Sequence, residues 1–251
     1  MIYFVGAGSG APDLITIRGA KLLNKADIVV YAGSLVNPEL LLNCNSHCIK
    51  YNSATMTLEE VMEIMIPAAQ DGQTVVRLHT GDPCIFGAHR EQMDFLDAHG
   101  ISYEIVPGVS SFCGAAAALK AEYTLPDVSQ TVILTRMEGR TPVPKNEKIE
   151  LLAAHGATMV IFLSAGQIDL LAQKLLAGGY TPNTPVGIVY KATWPDEKVI
   201  RTTIGQMAAD AKANHITKTA LITVGDFLGS KYDRSKLYDP TFSTEFREAT
   251  K

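Results

Sequence analysis

Cysteine is scarce in this 251-residue chain: the four, at positions 44, 48, 84 and 113, form no C-x-x-C pair. A disulfide framework is therefore not expected, and Cys44-x-x-x-Cys48 has no second pair to complete a zinc site, so reduced thiols are the expectation. Long hydrophobic runs are lacking as well, since none reaches the roughly 18 to 20 residues of a membrane span. Met1-Ile2-Tyr3-Phe4-Val5 passes straight into a strand-like segment without a basic leader. A cytoplasmic protein with no membrane partner is expected.

A basic excess is missing too: 22 Lys and Arg stand against 26 Asp and Glu, a formal net charge of -4. Nucleic-acid-binding domains usually show the opposite balance, so no nucleic-acid partner is expected, and an acidic ligand needs a local basic patch. What the chain does have is apolar surface, with 47% hydrophobic against 19% charged residues. That composition supports a packed core and is far from that of a disordered chain.

The apolar pattern alternates between strand and helix. Strands are predicted over 2–5, 27–31, 74–79, 102–106, 131–136, 159–163, 185–190, 199–203 and 220–224. Helices are predicted from about Thr16, over 58–69, over 90–98, up to Leu119, over 168–176 and over 205–213. Leu58, Val61, Met62, Met65, Ile66 and Ala69 share one helix face, and Thr57 with Glu60 has capping-box spacing. Pro67 inside this pattern predicts a kink or an early end, because it lacks an amide proton and crowds the preceding turn. The alternation implies an N-terminal α/β domain over 1–120 with a mostly parallel sheet. The pattern lapses between 120 and 130, where Pro126 and Asp127 mark a turn, and a C-terminal α/β domain follows over 121–251, ending in an irregular tail after Gly225.

Several common signatures fail. Gly6, Gly8 and Ala11 fit G-x-G-x-x-A, but Tyr31-Ala32-Gly33 stands where a ribose-binding acid belongs, which speaks against a nicotinamide cofactor. No Walker loop, no nucleophile elbow and no His-Glu-x-x-His is present. His79, His89 and His99 recur at intervals of ten, which is not a metal-ligand spacing, so they are read as unrelated or satisfied histidines and no metal site is expected. Three loops nevertheless fall at the carboxyl ends of predicted strands: Gly6 to Ala11, Thr80-Gly81-Asp82-Pro83, and Pro107-Gly108-Val109-Ser110-Ser111. Ligands bind at that edge of open parallel sheets, so a single cleft is expected there.

These residues carry a resemblance. Gly6-Ala7-Gly8-Ser9-Gly10-Ala11-Pro12-Asp13, Gly81-Asp82-Pro83-Cys84-Ile85-Phe86-Gly87 and Pro107-Gly108-Val109-Ser110-Ser111 resemble, in order and spacing, the signature loops of the tetrapyrrole (corrin and porphyrin) methyltransferases. Thr135 to Pro144, Tyr190 to Glu197 and Arg234-Ser235-Lys236-Leu237-Tyr238 are similar to the branch that methylates C11 of precorrin-4 in cobalamin biosynthesis. The resemblance covers nearly the whole chain. It implies a two-domain α/β fold with S-adenosylmethionine (SAM) in a cleft between the domains, S-adenosylhomocysteine (SAH) as a product, and a homodimer.

Carried over by position, it implies cofactor contacts at Thr80, Gly81, Asp82, Ile85, Ser110, Ser111, Ser164 and Ala192. The substrate it implies is a polycarboxylate tetrapyrrole, with or without cobalt, for which Gly8, Ser9, Arg136, Arg140 and Lys191 are the candidate contacts. Glu138 and Arg140 are candidates for a catalytic role, Glu138 either orienting Arg140 or taking part in proton movement. Two positions depart from relatives: Ser9 replaces a frequent proline, and Ala32 or Gly33 stands where uroporphyrinogen-type relatives carry an acid-base aspartate. A corrin methyltransferase of another regiochemistry and a catalytically silent SAM-binding module remain as alternatives.

Overall fold

A computed structural model describes residues 1–250. Its contacts divide the chain into two compact units: Met1–Gly114 together with Ala192–Pro195, and Ala115–Lys191 together with the chain from Asp196 onward.

The first unit is built on five parallel strands, β1 (Ile2–Gly6), β2 (Ile28–Tyr31), β3 (Ile49–Asn52), β4 (Val75–His79) and β5 (Tyr103–Val106), in the order β3-β2-β4-β1-β5. Successive side chains on a strand point to opposite faces, and here both faces are covered. Val5, Val29, Val76 and Leu78 pack with Leu23 of α1 (Ile17–Lys25), while Ile2, Phe4, Ile28, Val30 and Val75 pack with Val61, Met62 and Met65 of α2 (Leu58–Gln70) and Leu96 of α3 (Arg90–Ala98). Each fully buried side chain of this size contributes about 1.5–3 kcal/mol. The helix α4 (Ser111–Leu119) follows β5, and the division between the units falls within it.

The second unit has a mixed sheet. Its strands β6 (Val132–Arg136), β7 (Thr158–Phe162), β8 (Pro185–Tyr190), β9 (Lys198–Thr203) and β10 (Ala220–Val224) lie in the order β6-β7-β10-β8-β9. Only β6 and β7 run parallel; β10 is antiparallel to both β7 and β8, and β8 to β9. Met159, Ile161, Val186, Ile188 and Ile222 form its core with Ile149 of α5 (Ile149–Ala153), Leu171 and Leu175 of α6 (Ile168–Ala177) and Met207 of α7 (Met207–Ala213).

The local readings hold in most places. Thr57 and Glu60 form a full capping box at the start of α2. Pro67 does not end that helix, which runs to Gln70, because the proline sits in the last turn and forfeits a single ladder bond. No helix among the described residues is long and apolar enough to cross a membrane.

Candidate active site

The three glycine-containing loops leave the carboxyl ends of β4, β1 and β5, neighbouring strands in the first sheet, so topology alone brings them side by side. They are knitted together by their backbones. Gly81 donates its amide to the Gly8 carbonyl at 2.9 Å and Gly8 returns the bond at 3.2 Å, while Ala7 donates to the His79 carbonyl at 2.7 Å. A side chain at Gly6 would stand 2.5 Å from Gly108 Cα and 2.6 Å from the Gly81 carbonyl oxygen, so the approach of all three loops requires glycine there.

Asp82 is the staple between two of them. Its Oδ2 accepts from the Gly108 amide at 2.9 Å and its Oδ1 from the Cys84 amide at 2.8 Å, so the carboxylate holds both its own loop and the one after β5. Thr80 is exposed, Gly81 and Ser110 are buried, and Ile85 and Ser111 are half-buried. The Ser110 carbonyl accepts from the Cys113 and Gly114 amides as the first bonds of α4, which leaves the leading amides of that helix without helical partners. The expected residues Thr80, Gly81, Asp82, Ile85, Ser110 and Ser111 are thus brought to one edge of one sheet.

The first loop has a second clasp that the pattern of the sequence does not reveal. Ala192–Pro195 belongs by its contacts to the first unit. There Thr193 Oγ1 accepts from the Ala11 amide at 3.0 Å and shares a hydrogen bond of 3.0 Å with the Ser9 hydroxyl, and the Trp194 indole lies against Gly10. Thr193 holds φ at 69°, a left-handed conformation unusual for a β-branched residue and sustained by these contacts. From the other side, buried Asn37 donates its Nδ2 to the Gly10 carbonyl at 2.9 Å. Ala192 is buried beside the same loop, and Ser9 takes its place through Thr193. Thr193 lies within the Tyr190 to Glu197 segment that carries the resemblance, but nothing local in the sequence ties it or Asn37 to a loop 182 or 27 residues away.

In the second unit most of the candidate side chains are tied to their neighbours, and Arg140 stands exposed at a loop tip. Arg136 at the end of β6 donates to three carbonyls of the loop it precedes: Met137 at 3.0 Å, Thr141 at 3.2 Å and Pro142 at 2.7 Å. Ser164, completely buried, accepts from the Met137 amide at 2.9 Å and donates to the Phe162 carbonyl at 2.7 Å. Glu138 meets the Lys174 ammonium at 3.4 Å, and Lys174 also reaches Glu150 at 3.3 Å. The loop backbone is therefore held at several points, while Arg140 at its tip is exposed. Lys191, with φ at 47°, pairs with Asp196 at 2.6 Å and lies over the Tyr190 ring at 5.5 Å; the Asp196 carboxylate raises its ammonium above the usual range.

Two of the histidines depart from the reading of unrelated, satisfied residues. His79 and His89 meet edge to face at 5.6 Å, and His79 Nε2 is buried without a hydrogen-bond partner. His99 stands apart at the end of α3, its Nδ1 at 2.7 Å from the Phe95 carbonyl. Among the described residues no group of three potential ligands could hold a metal ion. All four cysteines are free, and burial pushes the Cys44 thiol up to about 11. Asp27, which flanks β2, accepts from the Thr74 amide at the opposite end of the strand from the loops.

Comparison with known proteins accords with this architecture. Residues 1–208 match the family model of the Tetrapyrrole (Corrin/Porphyrin) Methylases. The chain is 52% identical over its full length to the cobalt-precorrin-4 C(11)-methyltransferase of Methanocaldococcus jannaschii, of which it covers 97%. Among solved structures it resembles a cobalamin biosynthetic enzyme, cobalt precorrin-4 methyltransferase, with a TM-score of 0.89 and 47% identity over 91% of this chain and 96% of that one. It also resembles the uroporphyrin-III C-methyl transferase of Thermus thermophilus in complex with S-adenosyl homocysteine, with a TM-score of 0.73 and 26% identity over 91% of this chain and 93% of that one. With the family model matching most of the chain and a half-identical relative matching all of it, this protein belongs to the tetrapyrrole (corrin/porphyrin) methylases.

Proposed function

We propose that this chain is a SAM-dependent C-methyltransferase that adds a methyl group to C11 of cobalt-precorrin-4, a step of cobalamin biosynthesis carried out in the cytoplasm by a homodimer. The observation that carries the reading is the end-to-end likeness to a cobalt-precorrin-4 C(11)-methyltransferase in a chain whose three strand-end loops form a stapled, glycine-lined edge.

That edge fits the cofactor. Glycines allow close backbone approach, and the unpaired leading amides of α4 at Ser110 and Ser111 suit a carboxylate such as that of the methionine moiety. Thr80, Gly81, Asp82, Ile85, Ser110, Ser111 and Ala192 are its proposed contacts. Ser164 is also a proposed contact; its hydroxyl proton is given to the Phe162 carbonyl, so toward a ligand it can act only as an acceptor. When bound, SAM supplies an electrophilic sulfonium methyl whose leaving group is neutral. The protein therefore needs no nucleophile of its own; its residues hold the reacting partners in line, and positioning of that kind is worth effective molarities of about 10⁵ to 10⁸ M.

For the substrate, Arg140 and Lys191 are the proposed partners of peripheral carboxylates, with Gly8 and Ser9 along the first loop. Arg136 shapes the Arg140 loop rather than meeting a carboxylate itself, since its guanidinium already serves three carbonyls. Glu138, tied to Lys174, is the candidate for orienting that loop. Calorimetry with SAH, followed by anaerobic turnover with cobalt-precorrin-4, tests both halves of the reading.

A further inference from the structure

The first loop is held far more firmly than a glycine-rich turn needs to be. Glycine frees the backbone, so Gly8-Ser9-Gly10 by itself would sample many forms. Instead its carbonyl and amide groups are claimed by side chains distant in sequence. Asn37 uses both ends of its amide: Nδ2 donates to the Gly10 carbonyl at 2.9 Å, and Oδ1 accepts from the Glu39 amide at 3.0 Å, capping the short helical turn Pro38–Asn43. Thr193 Oγ1 likewise serves two partners, the Ala11 amide and the Ser9 hydroxyl, each at 3.0 Å.

Shape enforces what these bonds specify. A side chain at Gly10 would overlap the Trp194 indole, so the ring lies flat against bare backbone. A side chain at Gly114, inside α4, would stand 2.9 Å from Ser9 Cβ and 3.3 Å from Thr193 Cγ2, and this packing explains a residue that is otherwise a poor helix former. Ser9 is 7% exposed and its hydroxyl is taken up by Thr193, so it shapes the loop from within. Thr193 holds its left-handed φ of 69° here, a conformation that persists only where the surroundings over-determine it and that clusters at ligand clamps.

We infer that Asn37 and Thr193 are positioning residues for the tetrapyrrole: they grip residues 9–11 from two distant parts of the chain, with Trp194 closed over Gly10, and so hold the first loop in the form that the macrocycle meets. This role rests on the substrate reading proposed above, in which the first loop runs along the tetrapyrrole. The cofactor loops have their own staple in Asp82, so the grip acts on the substrate more than on SAM.

Kinetics with cobalt-precorrin-4, calorimetry with SAH and the fluorescence of Trp194, the chain's one tryptophan, test it together. Thr193→Val keeps the branched shape and removes both hydrogen bonds. It should raise the KM for the tetrapyrrole by about tenfold, following the fraction of loop in the competent form, with kcat and the SAH dissociation constant held within about twofold. Without any ligand, its emission should shift to the red as the indole leaves Gly10. Thr193→Ser, which keeps the hydroxyl, should recover most of both changes. Asn37→Ser keeps a cap for Glu39 but is too short to reach Gly10, and should raise the KM in the same way. An unchanged KM in Thr193→Val, or a rise matched by an equal loss of SAH affinity, would overturn the inference. If Thr193→Val does not fold, Asn37→Ser is read by the same criteria. In the wild type, cobalt-precorrin-4 bound with SAH should slow hydrogen exchange in peptides covering 8–14. Turnover without that protection would overturn the substrate reading of the loop and the positioning role with it, whereas protection together with an unchanged KM in the variants overturns the positioning role alone.

Discussion

Asp82 shows how a single residue's role changes once its partners are known. The family resemblance marked it as a cofactor contact, but its bonds to Gly108 and Cys84 make it a structural member first. The first of these spans 26 residues, and no local pattern encodes such a bond. Asp82→Ala should therefore both weaken SAH binding and cost about 1–3 kcal/mol of stability, since two amides lose their acceptor. Urea unfolding and calorimetry read the two effects, and an unaltered urea midpoint would contradict the staple. His79 supports a second expectation at this scale. Its ordinary value of 6.5 is lowered to about 3 by burial first and then by the charges of Arg77 and His89. Below 6.5 the unfolded chain takes up a proton that the folded one refuses, so the stabilisation is complete above that pH and is lost on acidification toward 3, at up to about 1.4 kcal/mol per pH unit. Replacing His79 with Leu should flatten the acid limb between pH 6.5 and 5, measured as urea midpoints; an equally steep limb would refute the assignment.

Among the elements, periodicity was informative wherever one face was buried. The capping box and apolar stripe of α2 were legible from Thr57 onward because both signals lie within the helix itself. β3 was not, because it is an edge strand with mostly exposed residues, Lys50 and Asn52 among them, and so has no hydrophobic alternation to read. The loop after β6 illustrates the same limit for function. Its arginines were both legible as cations, but only the fold separates Arg136, bound to three carbonyls, from exposed Arg140. Arg140→Ala should raise the KM for the tetrapyrrole by about tenfold, the scale of one charge-assisted contact, with SAH affinity and thermal midpoint unchanged. Arg136→Ala should lower kcat/KM and the thermal midpoint together, because it frees the loop backbone. Indistinguishable behaviour of the two variants in paired kinetics and thermal melts would contradict this division. Ser164→Ala, which leaves the Met137 amide buried and unpaired, should cost about 1–3 kcal/mol without an equivalent gain elsewhere.

For the molecule as a whole, the succession of strands and helices made two α/β sheets legible and the glycine loops pointed to one edge of the first. The return of 192–195 to the first unit was hidden, because it depends on contacts made 182 and 184 residues away in sequence, by Ala11 with Thr193 and by Ser9 with Thr193. The mixed strand directions of the second sheet were hidden for a similar reason: β7, β8 and β10 are buried on both faces, which leaves the same apolar run whether a strand is paired parallel or antiparallel. Regiochemistry belongs to this scale as well, since no single residue carries it. Anaerobic incubation of the purified protein with SAM and cobalt-precorrin-4, with the product analysed by mass spectrometry and NMR, measures it directly. The expected result is one added methyl group, located on C11, with one SAH formed per turnover; a methyl at any other ring position, or tight SAH binding with no transfer to either the cobalt or the metal-free substrate, would contradict it.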